Sequence, residues 1–154
     1  MTSFFGKTAV AGIGATEFSK ESGRTELQLA LEACKAALDD AGIHPSEVDG
    51  FTSYYQDTSP SIDVARGLGC ENIRHFSMID FGGGAAAATI AHAAMAVATG
   101  AAEVVLAYRA FNERSGARFG AALNVDSWGV DARAANYAWY LPHLSLIHIS
   151  EPTR

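Results

Sequence analysis

The run from Asp80 to Gly100, Asp-Phe-Gly-Gly-Gly-Ala-Ala-Ala-Ala-Thr-Ile-Ala-His-Ala-Ala-Met-Ala-Val-Ala-Thr-Gly, constrains the fold more than any other stretch. Alanine has the best intrinsic helix propensity. A helix with Ala on nearly every face lets other backbones approach closely on all sides, so it suits the middle of a layered fold. No charged side chain lies between Phe81 and Gly100. A membrane span is disfavoured, because the run is Ala and Gly rather than Leu or Ile and holds Thr89, His92 and Thr99. The short apolar runs Ile73–Ile79 and Glu103–Tyr108 on either side have strand character. The expectation is strand, glycine turn, buried helix, strand: one βαβ unit with a tight entry.

The rest of the chain supports a layered α/β reading. Thr8 to Thr16 has small and β-branched residues with glycines, as a buried parallel strand running into a turn would. Gly12-Ile13-Gly14 begins like a dinucleotide fingerprint, but the sixth position is Glu17 and no helix opens behind it, so NAD binding is rejected. From Arg24 to Ala41 the spacing of Leu27, Leu31, Cys34, Leu38 and Ala41 predicts a helix, with Thr25 and Gln28 as a capping box and Gly42 as its stop. Pro45 to Asp49 reads as a turn or helical turn, and Gly50 to Tyr55 as a second strand. Asp57 to Pro60 reads as a polar loop, and Ser61 to Leu68 as a short helix closed by Gly69. From Ala110 to Asn136 periodicity fades and arginines appear, as in an excursion from the core. Strands alternating with helices point to a mainly parallel sheet.

Composition sets the bounds on function. With 154 residues, 49% of them hydrophobic and 18% charged, the chain can bury a sizeable core. A net charge of -6 and a pI near 5.2 argue against nucleic acid or an anionic membrane as the main partner, so an anionic ligand needs a local basic patch. Cys34 and Cys70 have no paired spacing, and the N-terminus lacks signal-peptide character, which together predict a cytoplasmic protein with reduced thiols. Leu144 to Arg154 reads as the translated scar of a sequencing adapter, with an edge strand over Leu144–Ile149 as the bland alternative. On that reading natural sequence stops near His143, and the chain is the N-terminal piece of a longer protein.

Candidate chemistry is concentrated at the glycine turn. Gly82, Gly83 and Gly84 at a helix N-terminus offer free N–H groups and the positive end of a macrodipole to an oxyanion, carboxylate or phosphate. Tight packing explains the same glycines, and both readings stay open. A phosphate loop's Lys-Ser/Thr pair is absent. His44, His75 and His92 lack the spacing of metal ligands, and no metal is expected. Cys34 falls on the apolar face of its helix and reads as core, whereas Cys70 is ambiguous. Arg109 or Arg114 could bind an anion near a strand's C-terminal end, although an ion pair with Glu113 or an acidic partner is the preferred reading.

Three segments in order carry a family resemblance. Val10 to Lys20 with the helix ending Ala37-Leu-Asp-Asp-Ala-Gly-Ile43, followed by Pro45-Ser-Glu-Val-Asp-Gly50, resembles the opening of a thiolase-superfamily domain. Gly82–Thr89, His92–Gly100 and Ala107–Gly116 resemble, more narrowly, the lipid-transfer-protein branch related to sterol carrier protein x thiolase, often labelled acetyl-CoA acetyltransferase. The resemblance runs from about Lys7 to His143. It implies the N-terminal half of a thiolase-like α/β fold, with a core over residues 1–112, the start of a loop excursion over 113–143, and the adapter-like tail at 144–154.

The resemblance puts the thiolase nucleophile at about Gly83, yet no cysteine occurs from Glu71 to Arg154. Thiolase chemistry needs a thiolate. The branch also includes retro-aldolases, which cleave a carbon–carbon bond in a steroid side-chain CoA ester, work with an OB-fold partner protein, and need an acid/base pair rather than a covalent cysteine. By the same resemblance, the proton-transfer tyrosines lie in a second half not contained here. The expected site is therefore substrate-binding only: Phe81, Gly82, Gly83 and Gly84, with a CoA thioester as substrate and no further cofactor. A homodimer is expected, with the third strand pairing across it. A thiolase-type acyltransferase and a non-catalytic lipid-binding or scaffold subunit are the alternatives. In the complete protein a second half would cover the Ala-rich helix, so this chain alone should leave one of its faces open.

Overall fold

The computed structural model describes residues 6–55, 57–79 and 85–112. The chain divides into two units, Met1–Asn112 and Glu113–Arg154, and the second lies outside the described residues. Within the first, three strands form a parallel sheet: β1 (Gly50–Tyr54), β2 (His75–Ile79) and β3 (Val105–Ala107), in the order β2-β1-β3. The helices are α1 (Glu26–Ala41), α2 (Ser61–Leu68) and α3 (Ala85–Thr99), with a 3₁₀ turn at Pro45–Glu47.

Side-chain alternation along the strands sorts the core into two layers. Phe51, Leu106 and Tyr108 point into a cluster with Leu29, Ala30, Cys34 and Leu38 of α1 and Val64 and Ala65 of α2. Tyr54 and Ile79 point the other way, against Ala88 of α3. The topology explains the split. The chain passes from β1 outward to β2 through α2, then back across β1 to β3 through α3, and reversing direction places the second crossover on the opposite face. Val48 and Phe51 are fully buried at the centre.

Local chemistry accounts for the ends of α1. Thr25 Oγ1 accepts the Gln28 N–H at 3.1 Å, while Gln28 Oε1 accepts the Thr25 N–H at 2.8 Å, which is the expected capping box. Gly42 leaves the helix in the left-handed region at φ 67°, which a glycine enters without steric cost. Asp49 joins β1 to β3 at the other edge of the sheet. Its carboxylate accepts the backbone N–H groups of Glu103 and Val104 at 2.8 to 3.0 Å and pairs with Arg74.

One expectation is corrected. Thr8 to Thr16 is not a buried strand: it carries no ladder, and Val10 and Ile13 are largely exposed. What glycine contributes there is close approach. A Cβ at Gly12 would stand 2.3 Å from the carbonyl oxygen of Ala37, and one at Gly14 would stand 2.2 Å from that of Ala33. The segment therefore lies on the Ala33-Ala37-Ala41 stripe of α1. There the Ile13 N–H donates to Asp40 Oδ2 at 2.9 Å instead of to a neighbouring strand.

The Ala-rich helix forms as expected and packs on the sheet. Thr89 and Ala96 are buried, whereas Ile90 remains 51% exposed, so among the described residues its coverage is one-sided. No helix among the described residues is long and apolar enough to cross a membrane.

Candidate functional site

All three strands point their carboxyl ends the same way, and open parallel sheets bind ligands at that edge, where successive crossovers leave for opposite faces. Here β1 runs through Tyr54, Tyr55 and Asp57 into α2, and β3 runs through Tyr108 and Arg109 to Asn112. β2 ends at Ile79 and α3 begins at Ala85. The predicted substrate-binding residues Phe81, Gly82, Gly83 and Gly84, and with them the nucleophile position, lie in the interval between, outside the described residues.

The loops around that interval are held by polar contacts which the sequence reading missed. Tyr108 Oη donates to the Ser59 carbonyl at 2.6 Å and stands 3.2 Å from Ser61 Oγ, tying β3 to the loop before α2. Burial raises the Tyr108 phenol, so it stays protonated and serves as that donor. Asn112 fixes the end of the first unit. Its side-chain amide donates to the Arg24 carbonyl at 2.7 Å, its Oδ1 accepts from Ser22 at 3.1 Å, and its N–H donates to Glu26 at 3.2 Å.

Arg109 meets the acidic partner expected for it, and that partner is Asp57. Its guanidinium carbon lies 4.7 Å from the Tyr54 ring centroid and 4.3 Å from that of Phe111, and its Nε stands 3.7 Å from Asp57 Oδ1. The ion-pair reading thus holds with a different acid, since Glu113 lies outside the described residues, as does Arg114. Asp57 was read only as part of a polar loop. Its side chain is 1% exposed, and burial pushes its carboxyl up to about 6 against the opposing pull of the Tyr54 N–H and Arg109. The signal available in the sequence was its position just past a strand's carboxyl end.

The two cysteines sit elsewhere. Cys34 is buried midway along α1, and burial, with Cys70 adding to it, pushes its thiol up to about 12. Cys70 follows α2, leads toward the amino end of β2, and packs on the same cluster, with its thiol also raised by burial. That settles Cys70 as a packing residue. His44 caps the 3₁₀ turn and His92 Nδ1 lies 3.1 Å from Ser77 Oγ, both structural roles. A cleft of about 250 Å³ between Thr25–Leu27 and Thr58–Asp63 carries the carboxylates of Glu26 and Asp63, which suits an anionic ligand poorly. The strand-end edge, with Arg109, is the better candidate.

Comparison with known proteins follows the same line. The chain is 57% identical over 137 residues to a steroid side-chain-cleaving aldolase of Thermomonospora curvata, covering 89% of this chain and 35% of that protein. It is 59% identical over 131 residues to the 17-hydroxy-3-oxo-4-pregnene-20-carboxyl-CoA lyase of Mycobacterium tuberculosis, covering 82% and 34%. The chain belongs to the thiolase-like lipid-transfer-protein family. Among solved structures, the Ltp2-ChsH2(DUF35) aldolase superposes with a TM-score of 0.74 at 57% identity, over 87% of this chain and 32% of that one. A monomeric SCP2-thiolase-like protein type 1 of Mycobacterium smegmatis gives 0.52 at 28%, over 63% and 22%. No protein-family model matches. The chain spans about a third of the length of the curated relatives it matches.

Proposed function

We propose that the full-length protein is a retro-aldolase that cleaves a carbon–carbon bond in the side chain of a steroid CoA ester. The observation that carries this reading is where the cysteines are. Both lie in the α1/α2 layer with raised pKa values, Cys34 midway along α1 and Cys70 past the end of α2, neither at a helix N-terminus, and position 83 is glycine. An acyl-enzyme route needs a thiolate at a helix N-terminus. A retro-aldol route does not. The proton of a β-hydroxyl leaves to a base, the oxygen's electron pair forms a carbonyl, and the cleaved bond's pair enters the thioester as an enolate that is then protonated. Donors facing the enolate oxygen lower that barrier. The N–H groups around Gly82–Gly84 are our candidates, beside Phe81, with acid and base groups supplied by sequence beyond this chain.

The named activities of the two curated relatives support the same reading, as does the two-component name of the aldolase structure, from which we infer a partner protein for this one. We further propose a homodimer formed along β2, whose outer edge is unpaired among the described residues and whose Phe76 and Met78 are half-exposed or more. The test is product analysis by mass spectrometry of the full-length protein, with and without partner, on a steroid side-chain β-hydroxyacyl-CoA. Cleavage to a ketone and a shorter acyl-CoA, with no acyl adduct on the protein, is expected. A trapped acyl-enzyme would replace this reading with the acyltransferase one. Gly83→Val should abolish the cleavage, because a β-branched residue crowds the turn; full activity would leave the turn a purely structural role.

A further inference from the structure

Arg109 is held in a way that a solvated surface arginine is not. Its guanidinium carbon lies over both the Tyr54 ring, at 4.7 Å, and the Phe111 ring, at 4.3 Å, and its Nε stands toward the buried carboxylate of Asp57. The group has five N–H donors in a rigid fork. None of them makes a hydrogen bond to a described residue, the 3.7 Å approach to Asp57 being too long for one, and the side chain is 40% exposed. The carboxylate is incomplete in the same way, since its buried Oδ1 accepts no hydrogen bond among the described residues. Cation and carboxylate were brought together at the sheet's carboxyl edge, yet neither satisfies the other.

That arrangement suits orientation of an arginine more than neutralisation of it. Contact with two aromatic rings removes much of the freedom a binding arginine would otherwise lose, and a fork so held presents its terminal nitrogens to a ligand with two oxygens in a plane. We propose that Arg109 is an oxyanion-recognition residue, taking a phosphate of the CoA moiety on its terminal nitrogens, with Asp57 as the positioning residue behind it. The inference rests on the CoA-thioester reading above. In a chain of net charge -6 such a ligand requires a local cation, and Arg109 supplies one at the carboxyl edge of the sheet, just past the end of β3. Asp57 does not cancel it at the point of contact, because the carboxylate is buried on the Nε side. The other ionisable groups near Asp57 are Glu26, an anion, and the neutral Tyr108 phenol.

The experiment is calorimetric binding, without turnover, of an acyl-CoA and of the corresponding acyl-pantetheine, which lacks the nucleotide phosphates, to the full-length protein with its partner. Arg109→Gln should weaken the CoA ester by 10-fold or more, on the order of a charged hydrogen-bonded contact, and the pantetheine ester by less than about 2-fold. Arg109→Lys keeps the charge without the fork and should fall between, which also guards against a Gln variant that fails to fold. Asp57→Asn should retain CoA-ester affinity while flattening its pH dependence between pH 5 and 7 relative to wild type. Equal weakening of both esters by the Arg109 variants, or weakening of neither, overturns the inference alone. Wild-type protein that binds neither ester overturns the CoA-thioester reading with it.

Discussion

The helices α1 and α3 are nearly equal in length and opposite in kind. α1 is capped at both ends within this chain, buries Leu29, Ala30, Cys34 and Leu38 on one side, and carries charge on the other, where Lys35 pairs with Asp39. Its remaining face is occupied by the Gly12–Gly14 segment, and Arg24 before it bridges Glu17 and Glu32. α3 has no Asp, Glu, Lys or Arg, and its Thr89 and His92 turn inward, Thr89 buried and His92 against Ser77 of β2, rather than toward water. It rests on the sheet through Ala88, Thr89 and Ala96 while Ile90 stays exposed. A helix that water surrounds on one side normally displays an amphipathic stripe. The contrast teaches that α1 is complete among the described residues, whereas α3 has the chemistry of a helix with a layer on each side and only one of them among those residues.

If α1 is complete because the glycine segment seats on it, the largest effect should come from spoiling that seat. Gly14→Val would drive a branched side chain into the backbone at Ala33 and Ala37, which cannot move without shifting the helix. We expect a loss of about 3 kcal/mol in urea unfolding, at the upper end of overpacking costs. A loss under about 0.5 kcal/mol would mean the segment is only loosely laid on the helix, and α1 would be no more complete than α3.

How much of this was legible in the sequence differs along the same division. The α1 capping box, its glycine stop, the α2 span and its glycine stop all rest on contacts within a few residues, and local chemistry fixes such features. The strand at Thr8–Thr16 was misread because glycine plus β-branched residues signal close backbone approach without saying to what. Here the partner is a helix face 19 to 29 residues along the chain rather than a strand. Asp57 and Arg109 became a pair only through the register that sets the ends of β1 and β3 side by side, and no spacing in the sequence encodes that. The glycine turn was legible as a motif, yet Phe81 to Gly84 lie outside the described residues.

At the carboxyl edge of the sheet, Asp57 Oδ1 is buried without a hydrogen bond among the described residues, and that has a pH signature. Its folded pKa, about 6, lies above the ordinary 3.8, so between those values the folded chain binds more protons than the unfolded one. Stability from this group is therefore fully present below about pH 4 and lost as pH rises through 6. Asp57→Asn removes the buried charge and should stabilise the protein by about 2 kcal/mol at pH 7, with the gain vanishing near pH 4. Urea titrations at the two pH values read it directly. A variant equally destabilised at both would show that the carboxylate is satisfied in the folded state.

At the start of α1 the expected effect is smaller. Thr25→Ala removes the side-chain acceptor for the Gln28 N–H and breaks the reciprocal box, for about 1 kcal/mol. No change would mean that the start of the helix is held by its packing alone.

The smallest expected change in stability is the most informative about α3. Ile90→Glu puts a charge on the face that this chain leaves open, at a helical position where glutamate is as good a helix former as isoleucine or better. If that face meets only water in the isolated chain, unfolding free energy should move by less than about 0.5 kcal/mol, as for other exposed substitutions. The association of the chain should nevertheless fall. An open apolar helix face on one side of the sheet, and the exposed Phe76 and Met78 of β2 on the other, are separate surfaces of the kind that recruit other chains, so the parent chain should sediment as oligomers and bind a hydrophobic dye. The variant should do both less. A destabilisation above about 2 kcal/mol, the scale of burying an unpaired charge, would show instead that Ile90 is covered within the chain. The asymmetry between the two helices would then have to be given up, and with it the second layer that α3 is argued to await.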